Sequence, residues 1–279
     1  MRIVHKPEEI RRLTRRAKQQ GKRVGFVPTM GALHEGHLSL IRKARTESRL
    51  VVVSIFVNPI QFNRASDLRS YPRVLQRDAR LAAEAGADLL FVPSAKQMYP
   101  ASFQTTVEIS NLSRPWEGRF RPGHFRGVTT VVSKLFNLVQ PDIVYFGQKD
   151  AQQARVVRQM IRDLNLDITL RVLPTVREPD GLAMSSRNQR LSTEARRSSR
   201  VLFQALQEAT RLIQWGHRRE NEIVRRMRQV IRSVPGTRID YAAVVDPETL
   251  ERMRRVRRPA LILLAVWVGK IRLIDCCEV

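Results

Sequence analysis

The chain has 279 residues, a length that suits one large or two modest domains and leaves ample material for a buried core. Its 50 Lys and Arg residues outnumber 26 Asp and Glu, for a formal net charge of +24, and 43% of the residues are hydrophobic. The most apolar run, PALILLAVWVG, is too short to cross a bilayer, so the composition excludes a membrane-spanning helix and indicates a globular protein.

Strand-like and helix-like segments alternate over the first two-thirds of the chain. In chain order they are strand KRVGFVPT, a helix from about His37 to Ala44, strand LVVVSIFVN, helix PRVLQRDARLAAEAG, strand ADLLFVPS, the candidate edge strand TTVEIS, helix GVTTVVSKLFNLV, strand DIVYFG, helix DAQQARVVRQMIRDL and strand DITLRVLPT. Repeated strand–helix–strand units predict an open parallel sheet with right-handed crossovers.

The pattern changes after about Thr175, where the polar, turn-rich segment REPDGLAMSSRNQRLS begins. Two arginine-rich helices are predicted, roughly Thr193–Trp215 and Glu220–Ser233, followed by strands RIDYAAVVD and ALILLAVWVGKIRLID. We therefore predict an α/β protein of two domains, a Rossmann-like open parallel sheet in residues 1–175 and a smaller α+β domain in residues 176–279.

The stretch VPTMGALHEGHLSLIRKAR places two histidines between a strand and the start of a helix. His34 and His37 are three residues apart, which puts both imidazoles on one side of a helical turn. Helix N-termini attract phosphate, and Gly31 and Gly36 permit a close backbone approach, so the imidazoles can donate hydrogen bonds to a leaving pyrophosphate. Incidental loop histidines or half of a metal site are the alternatives. A metal site would lack nearby partners, because only Glu35 lies between the histidines and it points elsewhere.

Two segments offer groups suited to a nucleotide. In YFGQKDAQQ, Lys149 can contact phosphates and Asp150 can hold magnesium or a ribose hydroxyl, although a surface Lys–Asp pair is the better explanation of this segment taken alone. In GLAMSSRNQRLS, the residues Ser185, Ser186 and Arg187 can close over a triphosphate, or form a hinge that leads into a helix cap.

Two more segments offer groups suited to a small acid. The amides of Asn58 and Gln61 in VNPIQF suit hydroxyl and carboxylate groups, and Arg121 and His124 in RFRPGHFRGVTT can bind an anion or be ordinary basic loop residues. Four of the five motifs fall at predicted strand ends or on the helix starts that follow. Because ligands bind beyond the carboxyl ends of strands in open α/β sheets, these motifs predict one crevice.

Charge and cysteine content bear on partners and compartment. Cys276 and Cys277 are adjacent, which rarely permits a disulfide, and the N-terminus has no apolar signal-peptide core, so we expect a cytoplasmic protein. The arginine excess suits either a polyanion partner or a general compositional bias. We favour the bias because the arginines are interspersed with Glu and apolar residues and aromatics make up only 6%, so nucleic acid is not expected as a partner.

The sequence closely resembles the pantoate–β-alanine ligases (pantothenate synthetases), a family of the HxGH nucleotidyltransferase superfamily. The resemblance rests on PTMGALHEGH, VVVSIFVNPIQFN, DLRSYPR, RPGHFRGVTTVVSKLFNLVQPDIVYFGQKDAQQ and DGLAMSSRNQRLS, which occur in the family's order across nearly the whole chain. It implies that pantoate attacks the α-phosphate of ATP to give pantoyl-adenylate and pyrophosphate, and that β-alanine then displaces AMP to form pantothenate. It also implies Mg²⁺, a C-terminal domain acting as a lid, and a homodimer.

The resemblance assigns roles to matching positions. His37, His34 and Lys149 become the catalytic residues, with His37 as proton donor. The implied ATP site consists of Pro28, Thr29, Met30, Gly31, His34, Gly36, His37, Gly147, Lys149, Asp150, Val176, Met184, Ser185, Ser186 and Arg187. The implied pantoate and β-alanine site consists of Asn58, Gln61, Tyr71, Arg121, His124 and Gln153. The metal ligands stay open, with magnesium carried mainly by the ATP phosphates and Asp150 as a candidate.

Two other functions are compatible with the sequence. An RNA-binding protein on the same fold predicts a clustered basic face and salt-sensitive affinity for RNA. Another HxGH adenylyltransferase predicts a different acceptor acid. A catalytically dead homologue is not favoured, because every matching ATP and pantoate position is retained.

Overall fold

The computed structural model describes all 279 residues, which form two compact units. One unit comprises Met1–Gly147 and Gln153–Leu173, and the other comprises Gln148–Gln152 and Pro174–Val279. The domain boundary placed at residue 175 stays a prediction.

The first unit carries six strands and most of the helices. Its strands are β1 (Arg2–Val4), β2 (Val24–Thr29), β3 (Leu50–Ile55), β4 (Leu89–Phe91), β5 (Ile143–Gly147) and β6 (Thr169–Leu173). Its helices are α1 (Pro7–Gln19), α2 (Glu35–Glu47), α3 (Ala65–Arg69), α4 (Leu75–Glu84), α5 (Ala95–Met98), α6 (Glu117–Phe120), α7 (His124–Val139) and all but the first two residues of α8 (Ala151–Asp163), with a 3-10 turn at Pro59–Gln61.

The six strands form one parallel sheet in the order β1-β4-β3-β2-β5-β6. This confirms the predicted Rossmann-like α/β class. On one side of β2 the sheet continues with β3 and β4, and on the other side with β5 and β6. The direction in which successive strands are added therefore reverses between β2 and β5. Ligands of open α/β sheets bind at such a reversal.

Side-chain alternation along the strands builds a separate apolar core on each face of this sheet. Phe26 of β2 and Val144 of β5 pack with α1, α7 and α8, whereas the neighbouring Val27 and Tyr145 pack with α2 and α4. The strands are therefore continuous apolar runs in the sequence. The loops that carry the candidate site residues follow directly after these packed strands.

The second unit has its own core. A three-stranded antiparallel sheet, β7 (Thr237–Val245), β8 (Leu261–Val268) and β9 (Ile271–Glu278), packs with α10 (Val201–Gln214) and α11 (Glu220–Arg232). Helix α9 (Thr193–Ser198) and 3-10 turns at Gln148–Asp150 and Ser186–Arg190 complete the unit. The run PALILLAVWVG supplies β8, the central strand, as its continuous apolar character predicts.

Two predicted elements differ in the structure. TTVEIS forms no strand: the hydroxyl of Thr130 in α7 accepts from the Val107 N–H at 3.0 Å, and the hydroxyl of Thr129 donates to the Val107 carbonyl at 2.5 Å, replacing a strand partner. The single helix predicted over Thr193–Trp215 is two helices. Its break follows from Ser199, whose buried hydroxyl donates to the Arg196 carbonyl at 2.7 Å and competes with the helical hydrogen bond.

The N-terminal β1 and α1 were not anticipated, because β1 has only three residues and gains its partner from β4, far along the chain. None of the helices has both the length and the apolar character needed to cross a membrane.

Candidate active site

The site in the first unit begins where β2 ends. Thr29, the last residue of β2, donates its hydroxyl to the Ser54 carbonyl of β3 at 2.7 Å and accepts from the Gly31 N–H at 3.1 Å. Gly31 has φ +82°, and a Cβ there would lie 3.0 Å from the Ile55 side chain, so glycine is required at this turn. The chain thereby leaves the sheet at a fixed angle toward His34.

A buried carboxylate of α4 holds the next two residues. Asp78 is 1% exposed, and its two oxygens accept from the Ala32 N–H at 2.7 Å and the Leu33 N–H at 2.8 Å. Ala32 has φ +51°, a left-handed conformation that a non-glycine residue keeps only when its surroundings impose it. Asp78 supplies that constraint immediately before His34.

The two histidines form a stacked pair at the start of α2. His34 is the N-cap residue, and its N–H donates to Nδ1 of His37 at 3.4 Å. The ring centroids are 4.1 Å apart with an interplanar angle of 43°. Because Nδ1 of His37 accepts a hydrogen bond from the His34 N–H, the neutral imidazole carries its proton on Nε2 and can donate a hydrogen bond from there to an oxygen ligand.

A second polar group lies after β3, at the 3-10 turn. We call it the Gln61 cluster, and it comprises Asn58, Gln61, Tyr99, Arg121 and His124. Asn58 is 1% exposed; its amide nitrogen donates to Gln61 Oε1 at 2.9 Å and to the Gly127 carbonyl at 3.0 Å, while its Oδ1 accepts from the Tyr99 hydroxyl at 2.8 Å. Every hydrogen-bonding group of the Asn58 amide is thus engaged within the protein.

Two basic side chains hold the backbone of Gln61. Nδ1 of the buried His124 donates to the Gln61 carbonyl at 2.9 Å, and Nη1 of Arg121 donates to Nε2 of His124 at 3.1 Å. The hydrogen bonds assign His124 as a neutral imidazole with its proton on Nδ1. The side-chain amide of Gln61 donates to the sulfur of Met30 at 3.0 Å, which links this cluster to the loop after β2.

The other sequence-predicted residues of the first unit have these positions. Tyr71 is buried with its ring edge-on to Phe62 at 5.8 Å. The remaining ones are half-buried and lie at the end of β2, in the first turn of α2, at the end of β5 and in the first turn of α8; they are Pro28, Gly36, Gly147 and Gln153. The structure therefore brings the histidine pair, Met30 and the Gln61 cluster together within one unit.

The second unit contains the 3-10 turn Gln148–Asp150, which carries the predicted lysine. Lys149 and Asp150 lie in the 3-10 turn, with Nζ and Oδ1 3.6 Å apart and the Asp150 side chain 49% exposed. The thiol of Cys276 in β9 contacts the Gln148 carbonyl of the same turn at 3.0 Å. Both cysteines are free thiols, as predicted, and burial raises the pKa of Cys276 and raises that of Cys277 to about 11.

The connector of the second unit is a hairpin that leads into a 3-10 turn. The Met184 N–H donates to the Val176 carbonyl at 3.0 Å, and the Ser185 hydroxyl accepts from the Arg187 N–H at 3.3 Å. Ser186 is buried within the turn. The loop thus presents its serines and arginine from a defined backbone.

Ion pairs brace this hairpin. Arg177 forms a two-pronged pair with the buried Asp275 at 2.7 and 3.0 Å, and Arg196 pairs with both Glu178 and Asp180. The hydrogen bond from Arg196 is the main cause that lowers the pKa of Asp180 below its ordinary value. The sequence predicts this segment as a polar connector with nucleotide-binding residues, but it gives no sign of the bracing.

The acidic residues do not gather into a metal centre. No group of three or more His, Cys, Asp or Glu side chains has the geometry to hold a metal ion. The donor set beside Lys149 is one half-exposed carboxylate, which suits a magnesium ion that keeps phosphate and water ligands.

Sequence reasoning also missed Asp78 and Tyr99. Asp78 did leave a signal: it lies four residues before the buried Ala82, on the face of an amphipathic helix that should be apolar. Tyr99, in KQMYP, carried none, because its partner Asn58 is 41 residues away.

Known proteins resemble this chain along its whole length. The family model described as Pantoate-beta-alanine ligase matches residues 2–278. Pantothenate synthetase of Thermotoga neapolitana is 50% identical over 275 residues, covering 99% of this chain and 98% of the relative. That of Moorella thermoacetica is 52% identical over 266 residues, covering 95% and 94% respectively.

Solved structures agree. The pantothenate synthetase of Thermus thermophilus superimposes with a TM-score of 0.95 at 47% identity, covering 100% of this chain and 99% of that one. The pantoate-β-alanine ligase of Francisella tularensis, solved in complex with β,γ-ATP and β-alanine, gives a TM-score of 0.83 at 34% identity, covering 100% and 97%. With a full-length family match and relatives at about half identity, this chain belongs to the pantoate–β-alanine ligase family.

Proposed function

We propose that this enzyme condenses pantoate with β-alanine at the expense of ATP, through a pantoyl-adenylate, to give pantothenate, AMP and pyrophosphate. Family membership supports this reaction, and a relative solved with an ATP compound and β-alanine supports the two substrates. The structural observation that carries it is the His34–His37 pair, fixed at a helix start beside the strand-order reversal of a parallel sheet.

In the first half-reaction, a carboxylate oxygen of pantoate bonds to the α-phosphorus of ATP while the bond to the pyrophosphate oxygen breaks. Negative charge grows on the leaving pyrophosphate. His37 donates from Nε2 to that charge, its ring being held by the hydrogen bond to Nδ1, and His34 lies against it with ring centroids 4.1 Å apart. Preorganised donors of this kind act without having to reorient during the reaction.

In this proposal, the Gln61 cluster binds pantoate. The amide of Gln61 offers an N–H to a hydroxyl or carboxylate oxygen, and Arg121 supplies positive charge beside it. Asn58 has no polar atom to spare, so its role is to orient Gln61. Gln153 offers a second half-buried amide from the first turn of α8.

In the second half-reaction, the amine of β-alanine attacks the acyl carbon, a C–N bond forms, and the bond to AMP breaks with loss of an amine proton. The step needs no protein nucleophile, because adenylation has already given the acid a good leaving group. Holding the two reactants together and excluding water are the main requirements.

The second unit contributes nucleotide-binding groups. Lys149 carries positive charge for phosphates, and the loop from Met184 to Arg187 supplies hydroxyls and a guanidinium. Magnesium, carried mainly by the ATP phosphates, would neutralise their charge, and Asp150 is the carboxylate placed to join it.

Pyrophosphate release from ATP and Mg²⁺ tests the proposal, first with pantoate alone and then with β-alanine added. We expect a single burst that depends on pantoate, followed by steady turnover once β-alanine is present. A folded protein that releases no pyrophosphate with pantoate but does so with another acid would be an adenylyltransferase for that acid. A cytoplasmic location and a homodimer stay predictions.

A further inference from the structure

The hydrogen bonds around Gln61 fix which end of its amide faces a ligand. Its Oε1 accepts from the buried Asn58 and therefore points into the protein, while Nε2 uses one hydrogen on the sulfur of Met30 at 3.0 Å. One N–H remains for a bound molecule. Gln61 therefore presents a donor, which selects an oxygen acceptor and disfavours an apolar group at the same position.

The orientation of Gln61 depends in turn on Asn58. The amide nitrogen of Asn58 faces the Gly127 carbonyl, and its Oδ1 faces the Tyr99 hydroxyl, so two independent contacts agree on one orientation. Gly127 permits the close packing, since a Cβ there would lie 2.6 Å from the Ile60 carbonyl. If the contact with Gly127 or with Tyr99 is removed, the Asn58 amide is held less firmly, and so is its hydrogen bond to Gln61.

Tyr99 is a rigid anchor for this chain of hydrogen bonds. Its ring packs edge-on to Phe103 at 5.0 Å and beside Phe56 at 6.1 Å, with the ammonium group of Lys134 5.9 Å from its centre. Burial raises the pKa of the Tyr99 hydroxyl, so this group stays protonated and donates to Asn58 at neutral pH.

We propose that Tyr99 is a positioning residue for substrate specificity: through Asn58, it holds the Gln61 amide with its N–H toward a hydroxyl or carboxylate oxygen of the acid substrate. The relay runs from the Tyr99 hydroxyl to Asn58 and then to Gln61, over bonds of 2.8 and 2.9 Å. Tyr99 itself touches no reacting atom. This inference rests on the proposed function, because it assigns the acid-binding side of the same site.

Tyr99→Phe removes one hydroxyl and keeps the ring. We expect KM for pantoate to rise about tenfold, as for a lost hydrogen bond that leaves a buried amide oxygen unsatisfied, with KM for ATP unchanged. We also expect weaker discrimination between pantoate and its two analogues that each lack one hydroxyl group. A purely structural role would slow all three acids by the same factor.

Tyr145→Phe is the matched control. Tyr145 is also buried, burial raises its pKa to about 12, and its hydroxyl donates to a side-chain oxygen, Glu47 Oε2 at 2.9 Å, on the opposite face of the sheet. This variant should lose comparable stability and keep the wild-type preference among the three acids.

A double-mutant cycle with Gln61→Ala decides whether Tyr99 acts through Gln61. In the Gln61→Ala background, Tyr99→Phe should have no further effect on KM for pantoate, and additive effects would overturn the relay. If Tyr99→Phe fails to fold, Asn58→Asp tests the same step, because it removes the donor to Gln61 Oε1 while keeping the shape. Unchanged discrimination in the folded variant would refute the proposal, whereas a wild-type enzyme inactive with pantoate would instead refute the proposed function.

Discussion

Asp78→Asn is the substitution that most directly tests how the histidine loop is held. The asparagine keeps the size and shape of the aspartate, so the packing of α4 is preserved. Its single oxygen can accept from only one of the two N–H groups that now bond to the carboxylate at 2.7 and 2.8 Å. The amide nitrogen then faces the other N–H, donor against donor.

The size of the effect follows from those two bonds. A hydrogen bond to a charged group contributes about 1.5–3 kcal/mol, and the site is too buried for water to replace it. We therefore expect Asp78→Asn to lower the free energy of unfolding by about 2–3 kcal/mol. If the loop instead relaxes while the protein stays folded, the same energy appears as a shifted His34 and a rate about 30- to 160-fold lower.

Asp142→Asn separates stability from loop position. The Asp142 carboxylate likewise accepts a strand N–H, from Val24 at 2.7 Å, but at the amino end of β2, five residues from the loop. At about 3.3 Å per residue, that is about 17 Å from the end of the strand that leads to the histidines. This variant should lose stability without losing rate.

Three measurements are needed on both variants: urea unfolding, pantoate-dependent pyrophosphate release, and hydrogen exchange at Ala32 and Leu33. We expect faster exchange at these two amides, together with the lower rate, only in Asp78→Asn. If Asp78→Asn released pyrophosphate as fast as Asp142→Asn, Asp78 would not be needed to position the loop. If excess Mg²⁺ restored the lost rate, Asp78 would act on the metal and not on the backbone.

Other residues give simpler predictions. His37→Ala or Lys149→Ala should slow pyrophosphate release about 10²–10³-fold with the fold intact by circular dichroism, and wild-type turnover would contradict the assigned roles. Asp180→Asn should cost about 1–2 kcal/mol at pH 7. Arg196 lowers the folded-state pKa of Asp180. The difference in free energy of unfolding between wild type and variant, measured in urea, should therefore persist above about pH 4 and vanish as pH falls through the folded pKa. A difference that stays constant with pH would argue against the ion pair. Cys277 is half-buried, with its pKa raised to about 11, and should react with iodoacetamide at pH 7 about 300-fold more slowly than free cysteine; equal rates would contradict the raised pKa.

The parallel sheet was predictable because its determinants are local. The apolar runs that became β2, β3 and β5 are buried on both faces, so their length and bounding turns suffice to identify them. The candidate edge strand TTVEIS failed for the opposite reason. Its backbone at Val107 is satisfied by hydroxyls of Thr129 and Thr130 in α7, and no local pattern distinguishes that arrangement from a strand partner.

In the candidate site, too, the residues that local sequence identifies differ from those that only the three-dimensional structure reveals. His34, Gln61 and Lys149 stand in short motifs whose residue types suit phosphate and acid chemistry, so the sequence points to them directly. Their supports lie far along the chain: Asp78 is 46 residues from Ala32, and Tyr99 is 41 residues from Asn58. Sequence spacing carries little information about such contacts, because they depend on which loops the sheet order places together.

Ligand-facing residues and positioning residues also differ in whether they have a hydrogen-bonding group to spare. A ligand-facing residue needs a spare donor or acceptor, as Gln61 has in its second N–H. A positioning residue has none to spare: both oxygens of Asp78 and all polar groups of the Asn58 amide are engaged inside the protein. By this criterion Asn58, which its motif groups with Gln61 as a substrate ligand, belongs with Asp78 and Tyr99. Its substitution should therefore alter selectivity among acids through Gln61, not through a lost contact of its own.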